Sequence, residues 1–240
     1  MNKEIILYNF FNHFDFGGEN RLPQKAYMAI RQAVRQLHLA PGQTVLEQEM
    51  AEVLGMSRTP VREALVRLQI EGWVRIIPRR GFTVTDIEAN DLQQIYEIVE
   101  ALDGVAGQLA AVRATDEELQ ALDLLIQKQE KALEENNLLA WTELDDQFHS
   151  RIVDMAHNSR LSTVMESQAD QLYRARLYTI PFRPHPTRSI TDHKAIVSVL
   201  KAGEAEAAKV ILESHRFRTR KEVVQALSDY PTAPPHHTDK

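Results

Sequence analysis

The sequence predicts a mainly α protein in two domains: a small helical domain closed by a β-hairpin, then a larger all-α bundle. Three observations carry this. Apolar residues recur at helical spacing through most of the chain. Short strand-like runs occur only at residues 73–77 and 82–84, around the basic turn Pro78-Arg79-Arg80-Gly81. Charge also divides sharply, with 10 Lys and Arg against 5 Asp and Glu over residues 21–85 (+5) and 16 against 24 over residues 86–228 (−8). The overall charge of −6 therefore conceals a basic N-terminal part.

With 240 residues, 43% of them apolar, the chain has enough material for two cores. It has no cysteine, so disulfides and thiolate metal sites are excluded and His and carboxylates are the strong ligands left. No apolar run approaches the roughly 20 residues that span a bilayer, and residues 1–20 lack the features of a secretory signal. A cytoplasmic protein that does not meet the membrane is expected.

Residues 1–20 form an extension whose Tyr8, Phe10, Phe11, Phe14 and Phe16 are expected to pack on a domain or a partner subunit. The first domain, residues 21–85, opens with an amphipathic helix from Pro23 to Leu39, with Ala26, Ile30, Val34 and Leu37 on one side. A second short helix carries Leu46, Met50, Val53 and Leu54 and closes at Gly55, where a left-handed residue is needed. Ser57 is placed to cap a third helix beginning at Arg58, with Pro60 tolerated in its first turn. Val61, Ala64, Leu65 and Leu68 make its apolar face; Arg58, Thr59 and Arg62 point elsewhere. Helix, tight turn, helix with cations at its N-terminus and then a basic hairpin is the layout of a winged helix-turn-helix that enters the DNA major groove. Arg58 and Arg62 are the expected guanine or phosphate contacts and Thr59 a backbone-positioning residue. Arg79, Arg80 and Gly81 form the expected wing, with Gln48 a further contact from the preceding helix.

Residues 86–228 read as about six helices. A Thr85-x-x-Glu88 capping pattern and a Thr115-x-x-Glu118 capping box open the first two. Breaks fall at Asn136-Asn137, His157-Asn158-Ser159, the loop of Pro181, Pro184 and Pro186, and Gly203. Residues 229–240 read as a disordered tail, with His236 and His237 in solvent. On the helix from Leu138 to Ala156, Asp145 and His149 lie four apart beside the apolar face of Trp141, Leu144, Phe148 and Ile152. A carboxylate turned toward an apolar interior requires a partner. An antiparallel hairpin about Gly203 would bring His193 and His215 to similar heights, about 15 and 18 Å from the turn. One Asp and three His suit a divalent cation, Zn²⁺, Ni²⁺, Mn²⁺ or Fe²⁺, with positions open for water or an acidic ligand. On spacing alone, separately hydrogen-bonded histidines are the plainer reading.

The run through Leu39-Ala40-Pro41-Gly42, Leu46-Glu47, Leu54-Gly55, residues 57–65 (SRTPVREAL), Glu71-Gly72 and residues 80–84 (RGFTV) resembles the N-terminal domain of GntR-family bacterial transcription regulators. Residues 88–228 resemble the FCD-type effector domain of the FadR subfamily: Asp-x-x-x-His at Asp145 and His149, His-x-x-Ile at His193 to Ile196, and His215 on the final helix. The resemblance implies a divalent metal on those four residues beside a cavity for a small carboxylate effector. It departs at Val99, where relatives often carry Arg. Arg174 and Arg176 are candidate effector contacts, against surface solvation as the plainer reading. The expected function is a homodimeric, ligand-responsive repressor on a palindromic operator of double-stranded DNA, not an enzyme. The alternatives are a metal-dependent hydrolase, for which no motif supplies a general base, and a DNA-binding regulator whose metal is purely structural.

Overall fold

The structure is a computed structural model and describes residues 3–230; the tail reading for residues 231–240, including His236 and His237, lies outside the described residues. The chain divides into two compact units between Ile87 and Glu88.

The first unit contains α1 (Lys3–Asn12), α2 (Leu22–Arg35), β1 (Thr44–Val45), α3 (Glu47–Val53), α4 (Arg58–Ile70), β2 (Val74–Ile77) and β3 (Gly81–Val84). The strands form an antiparallel sheet in the order β1-β3-β2, with Val45 opposite Phe82 and Ile76 opposite Phe82 on the other side. Strand β1 had no counterpart in the sequence reading, since two residues carry no alternation pattern. The core comprises Ile30 and Val34 from α2, Val61, Leu65 and Leu68 from α4, and Trp73 and Phe82 from the hairpin. The extension belongs to this core: Phe11 is buried in it, with Phe10, Phe14 and Phe16 packed against it. Helix α2 ends at Arg35, short of the expected Leu39, because Leu37 turns left-handed (φ 61°).

Gly55 takes the left-handed conformation expected of it (φ 63°). Ser57 occupies the N-cap of α4, yet its side chain makes no capping hydrogen bond. Gly81 is tightly constrained: at φ 96° a Cβ would collide with the Val45 carbonyl of β1. Gly81→Ala is therefore expected to destabilise this unit by about 2 kcal/mol or more, seen as a lowered urea midpoint. An unchanged midpoint would show that β1 can retreat without cost.

The second unit contains α5 (Ala89–Arg113), α6 (Asp116–Glu134), α7 (Leu138–Met155), α8 (Ser159–Thr179), a 3-10 turn (Ile180–Phe182), α9 (Thr187–Lys201) and α10 (Ala205–Asp229). The Thr115 and Glu118 capping box forms as expected, and Asn137 and Asn158 cap α7 and α8 through their side chains. The Thr85-x-x-Glu88 pattern does not act as a box, because α5 starts at Ala89, three residues beyond the start a Thr85 cap would set, and Glu88 itself is the N-cap. Helix α5 packs along α10 and also against α7, α8 and α9, so it is the central strut of the bundle.

Candidate metal centre and nucleic-acid interface

Helices α7, α9 and α10 bring together the four residues singled out by spacing. His149, His193 and His215 are buried, and one ring nitrogen from each lies within 4.8 Å of the others. Oδ1 of Asp145 stands 3.5 Å from His193 Nε2 and 4.0 Å from His149 Nε2. Phe148, stacked on His193 with ring centroids 4.1 Å apart, holds that imidazole in place.

Groups from neighbouring helices orient two of the rings. Gln129 Oε1 on α6 lies 2.8 Å from His193 Nδ1, and Asp192 Oδ2 lies 3.1 Å from His215 Nδ1. Gln129 can only accept there through its oxygen, so His193 carries its proton on Nδ1 and turns the Nε2 lone pair to the centre. Nε2 of His193 and both nitrogens of His149 are buried without a hydrogen-bond partner. Buried nitrogens of this kind are costly to leave unsatisfied, and ring nitrogens converging with their far sides anchored are how metal-binding histidines are held. The donor set fits a divalent cation.

Burial, with the Arg216 charge next, drives His149 well below the ordinary histidine value. Burial and the neighbouring His215 lower His193 to about 3. Burial also lowers His215, opposed by its hydrogen bond to Asp192. For Asp145, burial pulls upward but the Arg176 guanidinium overcomes it and keeps the carboxyl below its usual range. The rings are thus neutral at neutral pH, the form that coordinates metal. Each folded-state value lies below the unfolded one, so the unfolded chain binds more protons as pH falls. Stability is then intact above about pH 6.5 and declines on acidification towards the folded values. Metal-free protein is expected to lose about 1 kcal/mol through His193 between pH 7.5 and 5.5, with His149 and His215 acting in the same direction, measured by urea unfolding. A flat profile would contradict neutral burial.

Arg176 and Arg174 on α8 are both buried, which corrects the surface-solvation reading. The last two turns of α8 are enclosed almost all round, from Leu172 to Thr179. Arg176 bridges Asp145 Oδ2 (2.5 Å) and Asp146 Oδ1 (2.6 Å), so one oxygen of the predicted ligand is already engaged by a cation. Arg216, beside His215, pairs with Asp103 on α5. A cavity of about 250 Å³ opens beside His149, with Arg176 and Arg216 in its wall; Arg174 does not line it. Val99 also lines it.

In the first unit, Gln48, Arg58, Thr59, Arg62, Arg79 and Arg80 are all exposed. Arg58 Nη2 reaches Glu47 Oε2 at 3.3 Å, which holds the guanidinium at the start of α4 while leaving it largely open to solvent. Gln48 donates to Glu52. Arg79 sits at the hairpin tip in a left-handed conformation (φ 64°). Gln69 Oε1 accepts from the Ile76 amide (2.8 Å) and so ties the wing to α4. Gly81, grouped with the wing contacts in the sequence reading, is buried against β1 instead.

Two family profiles match this chain: bacterial regulatory proteins, gntR family, over residues 22–84, and the FCD domain over residues 94–217. The regulator YdhC of Bacillus subtilis is 30% identical over 179 residues, covering 73% of this chain and 79% of its own. The chain belongs to the GntR family of bacterial regulatory proteins. This GntR-family chain is also 26% identical over 192 residues to the Escherichia coli transcriptional repressor RspR, covering 80% and 84% of the two chains. Its fold matches that of E. coli McbR/YncC with a TM-score of 0.75 at 24% identity, covering 86% of this chain and 99% of the other. The protein is thus a bacterial DNA-binding transcription regulator with a helical FCD domain, in a family of regulators rather than enzymes. Among the described residues no helix is long and apolar enough to cross a membrane.

Several participants in this regulator's helical domain escaped the sequence reading: Gln129, Asp103, Asp192 and Arg216. The signal existed for two of them. Gln129 falls on the apolar stripe of α6 with Leu122 and Ile126, and Asp103 continues the buried row of Tyr96 and Val99 on α5. A polar residue in a buried row calls for a buried partner.

Proposed function

We propose that this regulator is a metal-dependent sensor of a small carboxylate, acting as a cytoplasmic homodimeric repressor on a palindromic operator. Asp145, His149, His193 and His215 would hold a divalent cation of the Zn²⁺, Ni²⁺, Mn²⁺ or Fe²⁺ type. Bound there, the cation would supply an open coordination position for a carboxylate oxygen. The observation that carries this reading is the convergence of three buried imidazoles, two of which (His149 and His193) keep buried nitrogens without partners, beside a cavity walled by Arg176 and Arg216.

On the DNA-binding unit, Arg58 and Arg62 read bases or phosphates at the start of α4, with Thr59 and Gln48 positioning and Arg79 and Arg80 along the backbone. Pairing of two chains is supported by Ile98, Val105 and Val112, exposed at seven-residue intervals along α5, a row that a second copy would cover. Repression is supported by the likeness to RspR, itself a repressor.

Thermal unfolding of the full chain with Zn²⁺, and again after chelation, tests the sensor against a panel of acetate, lactate, malonate and citrate. Binding to the native state raises apparent stability, so at least one acid is expected to raise the midpoint with metal and none without. A metal-dependent shift with no response to any acid would leave the structural-metal alternative standing.

A further inference from the structure

The cavity beside His149 is not uniformly cationic. Its inner wall carries buried Arg176 and Arg216, while its solvent-facing rim carries two exposed carboxylates, Asp154 at the end of α7 and Glu166 on α8. Neither rim carboxylate has an ion-pair partner among the described residues. At the inner end, both nitrogens of His149 and the Nη1 of Arg216 are buried and without a hydrogen-bond partner, so polar groups there await a ligand. The rest of the wall is mostly apolar, with Val153, Met165 and Leu172 beside Ser150 and Ser162.

Charge decides what fits. Five carboxylates (Asp103, Asp145, Asp146, Asp154 and Glu166) stand around this space against two guanidinium groups. A divalent cation brings the net to −1. A dicarboxylate would add two further negative charges, with its far end beside the rim acids, where like charges repel. A ligand with one carboxylate and one ammonium adds none and places opposite charge at both ends. Asp154 lies five residues beyond His149 on α7, about 7.5 Å along the helix, a span that an aliphatic chain can bridge across the apolar wall.

We propose that the effector is a zwitterionic amino carboxylate, its carboxylate at the metal and Arg176/Arg216 end and its ammonium between Asp154 and Glu166. This deepens the metal-and-carboxylate reading and depends on it. The rim geometry selects for charge at the far end rather than for chain length alone.

Three probes of equal chain length separate the two ideas: 6-aminohexanoate, hexanoate and adipate, titrated calorimetrically into the full chain loaded with Zn²⁺. The expected order is 6-aminohexanoate over hexanoate over adipate, with the amino acid favoured by about fivefold over hexanoate. Asp154→Asn with Glu166→Gln is expected to bring that ratio towards one, and 1 M salt to shrink it in the original protein. Equal binding of 6-aminohexanoate and hexanoate, or adipate binding best, would overturn the zwitterion while leaving a carboxylate sensor intact. No heat with any of the three probes, with Zn²⁺ shown to be bound, would overturn the zwitterion together with the reading on which it rests.

Discussion

Replacing Arg58 and Arg62 together by alanine is expected to lower operator affinity by about a hundredfold or more and to reduce the slope of log affinity against log salt by about two. The size follows from placement. Both side chains project from the first turns of α4, where the free amides and helix dipole already favour phosphate, and both are exposed. Glu47 holds Arg58 at 3.3 Å without burying it, so the guanidinium is pre-positioned rather than consumed. A bidentate guanine contact contributes about 1–3 kcal/mol to discrimination, and a phosphate contact adds to the salt slope without selecting sequence. An operator selected from random DNA and titrated by fluorescence anisotropy at several salt concentrations gives both numbers. The fold should persist, because neither side chain enters the core. A double variant with unchanged affinity and slope would remove α4 from the reading surface.

The second large effect concerns the metal. His193→Ala is expected to leave the purified protein with little bound metal and to weaken Zn²⁺ by a hundredfold or more, since one of about four ligands is removed from a buried site. Gln129→Leu should weaken it less, by about ten- to a hundredfold, because the ring stays but loses the acceptor that fixes its tautomer. Elemental analysis and competition with a chromophoric chelator read both. This ordering distinguishes a coordinating centre from a cluster of packed histidines: in the latter neither substitution would move metal content. Asp145→Ala is a poorer probe, because it strips buried Arg176 of one of its two partners and so confounds metal loss with destabilisation.

Much of this was legible in the chain itself. The apolar stripes of α4, α6 and α7 place their buried faces, and the spacing of His193 and His215 about Gly203 anticipates the hairpin that brings them together. Three things resisted. Helix α8 becomes buried on every side towards its end, so its pattern loses the period that marks an inner face, and Arg174 and Arg176 read as solvent-exposed when they are enclosed. Strand β1 is two residues long and exists because β3 is there to receive it. The orienting contacts of Gln129 and Asp192 join residues 64 and 23 positions from their histidines, distances at which sequence spacing holds no geometric information.

In the proposed sensor, occupancy of the FCD-domain cavity controls DNA affinity. Because linkage is reciprocal, any ligand that stabilises one state of the regulator must shift operator binding by the same factor that DNA shifts ligand binding, about 5- to 150-fold in coupled systems. The direct measurement is operator affinity of the Zn²⁺-loaded protein, titrated with and without a saturating carboxylate that raises its unfolding midpoint, and repeated after chelation. Weaker operator binding is expected with the acid, and only when metal is present. Identical operator affinity in all conditions, with acid shown to be bound, would contradict it.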